Sequence, residues 1–166
     1  MLVIHNSHLK NLNENILNFN TPTQKLLAYT IKQAEDMIKQ ATFVSQPKKI
    51  LLHLGTNDCD RLSAKIVIEK LAGLIDVLRS LCPNAQIYVN SIPQRRDKMS
   101  TVDEVNDLLI NFERDLGCKV IDNSNIQRSM LIDPKHFNKT VFFLLLANIR
   151  FGMFDKRSQL LDTFVR

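Results

Sequence analysis

The sequence predicts an α/β fold built around a mostly parallel sheet. Short apolar runs alternate with amphipathic stretches from one end of the chain to the other, which is the pattern of successive βα units. With 166 residues, 45% apolar and 23% charged, the chain amounts to one domain with enough apolar surface to bury a core. A mean hydropathy of −0.10 separates it from membrane-embedded chains. Its longest apolar run, residues 141–147, is far short of the roughly 20 residues a bilayer span needs.

Leu2-Val3-Ile4 reads as the first strand and residues 15–19 as a short second one. Thr21-Pro22-Thr23-Gln24 has the form of a helix opening: Thr21 as N-cap, Pro22 at the first helical position, Gln24 closing a capping box. Leu27, Ile31, Ala34, Ile38 and Ala41 follow at spacings of 4, 3, 4 and 3, one apolar stripe of a helix that should stop near Gln46-Pro47. Lys49-Ile50-Leu51-Leu52-His53-Leu54 is the strongest strand signal, and Gly55-Thr56-Asn57-Asp58 turns off its carboxyl end. Residues 63–81 predict a long helix with Val67, Leu71, Leu74 and Leu78 inward, and residues 86–92 a strand that Pro93 stops. Thr101-Val102-Asp103-Glu104 is a second capping box, opening a helix that carries Val105, Leu108, Leu109 and Phe112 inward and stops at Gly117. Cys118-Lys119-Val120-Ile121-Asp122 is the last strand, and residues 139–153 the last helix. Residues 1–154 are therefore read as one domain and residues 155–166 as a C-terminal tail.

A net charge of +5 and a pI near 9.2 permit an acidic partner without requiring one. The basic residues are dispersed. Weak nucleic-acid binding would need Lys48, Lys49, Arg95, Arg96, Lys156 and Arg157 to share one face. Cys59, Cys82 and Cys118 are odd in number and in no metal-ligand spacing, so they read as reduced thiols of a cytosolic or nuclear protein. The opening apolar run ends at once in His5-Asn6-Ser7-His8, too early for a secretory signal. His5, His8 and His53 alternate between strand and turn positions and do not make a metal site.

In a parallel sheet, ligands bind outside the carboxyl ends of the strands. Three polar groups fall there: His5-Asn6-Ser7-His8, Gly55-Thr56-Asn57-Asp58 and Asp133-Pro134-Lys135-His136. Hydrolysis by a serine needs a nucleophile, an imidazole to take its proton, a carboxylate to orient the imidazole, and donors for the oxyanion. Ser7 follows a strand, where a tight turn can present its hydroxyl. Asp133 precedes His136 by three residues, so one short turn brings the carboxylate to the ring. Asn57 offers a side-chain amide donor, and Gly55 lets the backbone approach closely. Taken singly, each has a plainer reading: an N-cap for Ser7, turn chemistry for Asn57-Asp58 and for Asp133-Pro134.

Taken together, these residues resemble the SGNH (GDSL-type) hydrolase superfamily, over nearly the full chain. His5-Asn6-Ser7 aligns with its Gly-Asp-Ser block, Gly55-Thr56-Asn57-Asp58 with its Gly-x-Asn-Asp block, and Asp133-Pro134-Lys135-His136 with its Asp-x-x-His block. Leu51 to Asp58, Ser91 to Asp97, Ile121 to Ile126 and His136 to Lys139 are also similar to the esterase domain in first-reading-frame proteins of some non-LTR retrotransposons. The resemblance implies a three-layer, flavodoxin-like α/β/α fold and hydrolysis of a carboxylic ester, acetyl or lipid-like, without a cofactor. It casts Ser7 as nucleophile, His136 as general base and acid, and Asp133 as orienting carboxylate. The Ser7 backbone N–H and Asn57 would form the oxyanion hole, with Gly55 beside them.

Two departures bear on activity. The family's Gly-Asp before the serine is His5-Asn6 here, and a β-carbon at His5 is expected to crowd the turn that exposes Ser7. The family's second-block glycine, a backbone oxyanion donor, has no counterpart, and its expected position falls in residues 18–21. Loss of one oxyanion donor costs about 10²–10³ in rate. Alongside a weak esterase the sequence therefore leaves open a catalytically silent module of the same fold, of retroelement origin, that binds a partner or self-associates.

Overall fold

The computed structural model describes residues 1–10, 21–43, 45–132 and 137–154. Five strands, β1 (Leu2–His5), β2 (Gln24–Leu27), β3 (Lys49–His53), β4 (Gln86–Asn90) and β5 (Lys119–Ile121), make one sheet in the order β2-β1-β3-β4-β5. Every pairing is parallel. This is the flavodoxin-like order, whose sense reverses between β1 and β3. The helices are α1 (Ile31–Gln40), α2 (Ala64–Leu81), α3 (Met99–Asn111), the single turn α4 (Glu113–Leu116) and α5 (Lys139–Phe154).

Alternation along the strands divides the core into two layers. Leu2, Ile4, Ile50, Leu52, Ile87 and Val89 face α1, α2 and α3, where Ile31, Ala34, Ile38, Val67, Leu71, Leu74, Leu78, Val102 and Leu109 meet them. Val3, Leu51, Tyr88 and Ile121 face the other way, onto Val141, Leu145, Leu146, Ile149 and Met153 of α5. The three-layer α/β/α expectation holds. Leu74 and Leu78 are fully buried, and each such side chain contributes about 1.5–3 kcal/mol through burial.

Several boundaries differ from the sequence expectation. Thr21 and Gln24 do not open a helix: Gln24 begins β2, an edge strand that is mostly exposed. The helix starts at Ile31, where the Thr30 hydroxyl accepts from Gln33 N at 3.2 Å. It ends at Gln40 rather than near Gln46, because Ala41 is already extended. The third helix begins at Met99, two residues before Thr101, with Val102 N donating to Lys98 O at 3.0 Å. The helix expected to run to Gly117 ends at Asn111, and Phe112, expected on its apolar face, is exposed; Gly117, left-handed at φ 57, ends the single turn α4 that follows. The strand expected over residues 15–19 and the tail over 155–166 lie outside the described residues.

Candidate active site

The reversal between β1 and β3 places two turns side by side at the carboxyl edge of the sheet. After β1, Asn6 N still donates to His53 O at 3.2 Å, while the Asn6 side chain accepts from His8 N at 3.0 Å. Asn6 thereby caps a 3-10 turn over Ser7–Leu9, and Leu9 plugs that turn into the α5 side of the core. The expected crowding by His5 is not seen. Its Cβ fits because His5 is an ordinary residue of β1, in register with Leu27 and His53, and Asn6 is extended at φ −91. Ser7 is half-buried, and among the described residues no hydrogen bond engages its hydroxyl.

Gly55 turns the chain off β3 at φ 96, a conformation that strains any side chain; a Cβ there would also lie 3.1 Å from Ile92 Cδ1. Asn57 Nδ2 donates to Tyr29 O at 2.9 Å. Asp58 is buried, and its carboxylate accepts from Ile31 N at 3.2 Å, at the positive end of α1. Burial pushes the Asp58 carboxyl up, and the Ile31 N–H opposes that shift.

The second-block position is expected at residues 18–21. Thr21 stands at the opposite, amino edge of the sheet, since Gln24 N donates to Met1 O, and residues 18–20 lie outside the described residues. The segment that follows β2 and abuts Asn57 is Ala28-Tyr29-Thr30. Its Tyr29 N–H donates to Gln33 Oε1 at 2.8 Å.

Arg95, which the sequence groups with a basic face and not with the site, is buried against the Gly55–Asp58 turn. It is 1% exposed. Its Nη1 donates to Thr56 O at 2.5 Å, its Nη2 to Asp60 Oδ1 at 2.6 Å and to Asp97 Oδ2 at 2.6 Å, and its Nε to Asp97 Oδ1 at 2.9 Å. One guanidinium thus clamps the Gly55–Asp58 turn from below. Lys49 is engaged locally: its Nζ donates to Met153 O at 2.5 Å and sits 4.2 Å from the Phe154 ring centroid.

Three imidazoles gather under the Ser7 turn. His53 is fully enclosed, with Nδ1 3.0 Å from Asn90 Nδ2 and Nε2 3.3 Å from His8 Nδ1. Burial, reinforced by His8 and His5, holds His53 well below the usual histidine range. Burial likewise lowers His5, whose Nδ1 lies 2.8 Å from Asn6 O. Among the described residues, no group of His, Cys, Asp and Glu is arranged to hold a metal ion.

Asp133 and His136 lie outside the described residues. The residues on either side of them are fixed. Leu131 and Phe137 pair as an antiparallel bridge, Arg96 donates to Arg128 O at 3.1 Å and to Leu131 O at 2.7 Å, and the Phe137 ring lies 4.3 Å from that of His8. Phe137 is therefore held beside the Ser7 turn, with Leu131 paired to it. At β4 and β5, Asn123 joins Ser91 O at 2.8 Å to Asn148 Nδ2 at 2.9 Å, tying the strand ends to α5. The sequence reading had no signal for that amide pair, because its members are brought together by tertiary folding alone. A cleft of about 530 Å³ opens at the other, amino edge, lined by Met1, Pro22, Phe43, Pro47, Lys49 and Phe154. It shares no residue with the turns that carry Ser7 and Asn57.

No protein-family model matches the sequence, and no curated protein matches it significantly. The folded chain is another matter. It superposes on a member of the lipolytic G-D-S-L family from Veillonella parvula with a TM-score of 0.72 at 18% identity, covering 93% of this chain and 97% of that one. A lipolytic G-D-S-L protein from Desulfitobacterium hafniense gives 0.71 at 10% identity, over 92% and 98%. A family 3 carbohydrate esterase from Talaromyces cellulolyticus gives 0.67 at 17% identity, over 77% and 68%. The chain has the three-layer α/β/α fold of the SGNH hydrolases. Among the described residues, no helix is long and apolar enough to cross a membrane.

Proposed function

We propose that the protein is a serine ester hydrolase of SGNH type, nearest on its sequence motifs to the retroelement esterase domains. The observation that carries this reading is the placement of three elements at one switch point: the Ser7 turn, the Asn57 turn, and Phe137, which directly follows the 133–136 segment. In the proposed reaction Ser7 Oγ attacks the ester carbonyl and passes its proton to His136, which Asp133 orients. His136 returns the proton to the leaving alkoxide, and water then releases the acyl group from Ser7 by the same route in reverse. The oxyanion would be met by the Ser7 N–H and by Asn57. A primary amide carries two protons, so Asn57 can hold Tyr29 O with one and meet the oxyanion with the other. The substrate would be a small acyl or lipid-like ester, and no cofactor is needed.

One observation favours the second reading, a silent module of this fold that binds a partner or self-associates. The backbone N–H of Tyr29, in the segment that abuts Asn57, is already donated to Gln33. Hydrolysis of p-nitrophenyl acetate and butyrate separates the two. Activity in the wild-type chain that disappears in both Ser7→Ala and His136→Ala establishes the esterase. Background rates in all three folded proteins leave the silent module.

A further inference from the structure

His8, His53 and Asn90 form a hydrogen-bonded file that runs from the Ser7 turn into the sheet. His53 ends β3, Asn90 ends β4 beside it, and His5 flanks it on β1. The Asn90 amide nitrogen faces His53 Nδ1 at 3.0 Å and can only donate. His53 Nδ1 must then accept, so a neutral His53 carries its one proton on Nε2. That proton points at His8 Nδ1, 3.3 Å away. Enclosure keeps His53 neutral, because burial disfavours its charged form. Among the described residues Asn90 Oδ1 is buried without a hydrogen-bond partner, so the contact that the Asn90 side chain makes there is the one with His53.

We infer that Asn90 and His53 are positioning residues that fix the ring of His8, and the nitrogen on which it is protonated, beside Ser7. The inference deepens the esterase reading and rests on it for the role of Ser7. His8 shares the Ser7–Leu9 turn and packs on Phe137, which directly follows His136 in the chain. Whatever holds the His8 ring holds the nucleophile turn against the sheet. Among the described residues, the titratable groups that act on His53 are His8 and His5, with Lys25 of β2 acting on His5.

Two-bond ¹H–¹⁵N spectra of the full chain labelled in histidine report which ring nitrogen is protonated. Wild type at neutral pH is expected to show His53 as the Nε2–H form and His8 Nδ1 as an acceptor. Asn90→Asp replaces a donor by an acceptor, which draws the His53 proton to Nδ1, leaves Nε2 accepting, and requires His8 to present Nδ1–H. The expected result is an inverted His53 tautomer and a gain of about tenfold in the proton affinity of His8. An unchanged tautomer and unchanged His8 titration in Asn90→Asp overturn the inference. So does a wild-type His53 protonated on Nδ1, a result that decides the matter even where Asn90→Asp fails to fold. Expected tautomers in a wild-type chain that hydrolyses no ester refute the esterase reading and leave the file of hydrogen bonds in place.

Discussion

Replacing Arg95 by Met removes the clamp beneath the Asn57 turn, and the structure sets the size of the effect. Thr56 O loses its buried donor, and a buried group left unpaired costs about 1–3 kcal/mol. Asp60 and Asp97 lose their cation. Breaking a fully buried ion pair at one end costs about 3–5 kcal/mol, but these carboxylates are 28% and 34% exposed. Hydration recovers most of that term, so about 1–2 kcal/mol remains. The apolar Met side chain returns about 1 kcal/mol through burial. The expected loss is about 1–4 kcal/mol, or roughly 2–16 °C in melting temperature for a chain of this size. Urea unfolding at pH 7, followed by circular dichroism, measures it. Arg95→Lys should fall between, because one ammonium cannot span a carbonyl and two carboxylates together. Asp97→Asn in the Arg95→Met background should return part of the loss. A change below about 1 kcal/mol in Arg95→Met, or no recovery in the double variant, would refute the clamp.

Gly55→Ala forces a Cβ into positive φ and against Ile92; a loss of about 1–3 kcal/mol in urea unfolding is expected, and an unchanged midpoint would show that the turn relaxes freely. His53 and His5 are both depressed in the folded chain, so the unfolded chain binds their protons first as pH falls below about 6.5. Stability should therefore be flat above that pH and drop below it, and His53→Gln should make the decline shallower; equal slopes for the two proteins would exclude His53 as a source. Burial pushes the Cys59 and Cys118 thiols up to about 11, so at pH 8 Ellman's reagent should react slowly with the native chain and rapidly in urea. Fast native labelling at either position would contradict that burial.

The parts of the fold that were legible in the sequence are those whose burial repeats along one element. β3 is apolar on both faces, α2 places Val67, Leu71, Leu74 and Leu78 on one stripe, and both read without tertiary help. β2 did not, because as an edge strand it is mostly exposed and its apolar Leu27 continued the spacing of Ile31 and Ala34. The true cap, Thr30 with Gln33 three residues on, had the same form as the false one at Thr21. At the candidate site, the turns that carry Ser7, Gly55 and Asn57 were legible because each follows an apolar strand within a few residues. Arg95 and the His53–Asn90 pair were not. Their meaning lies in partners 35 and 37 residues away in the chain, and only strand order brings those partners together.

The two turns of the site belong to different cores. Leu54 and Cys59, on either side of Asn57, sink into the layer under α1, α2 and α3, whereas Leu9 beside Ser7 sinks into the layer under α5. The sheet between them keeps the layers apart, and among the described helices α5 alone builds the second one. Regions with few packed partners open at free energies below that of global unfolding. Undocking of α5 would loosen Ser7 and the seat of Phe137 while Asn57 and its neighbours stay in place. A substitution deep under α5, such as Leu145→Ala, is therefore positioned to abolish the proposed ester hydrolysis at temperatures where circular dichroism still reports most of the chain as folded.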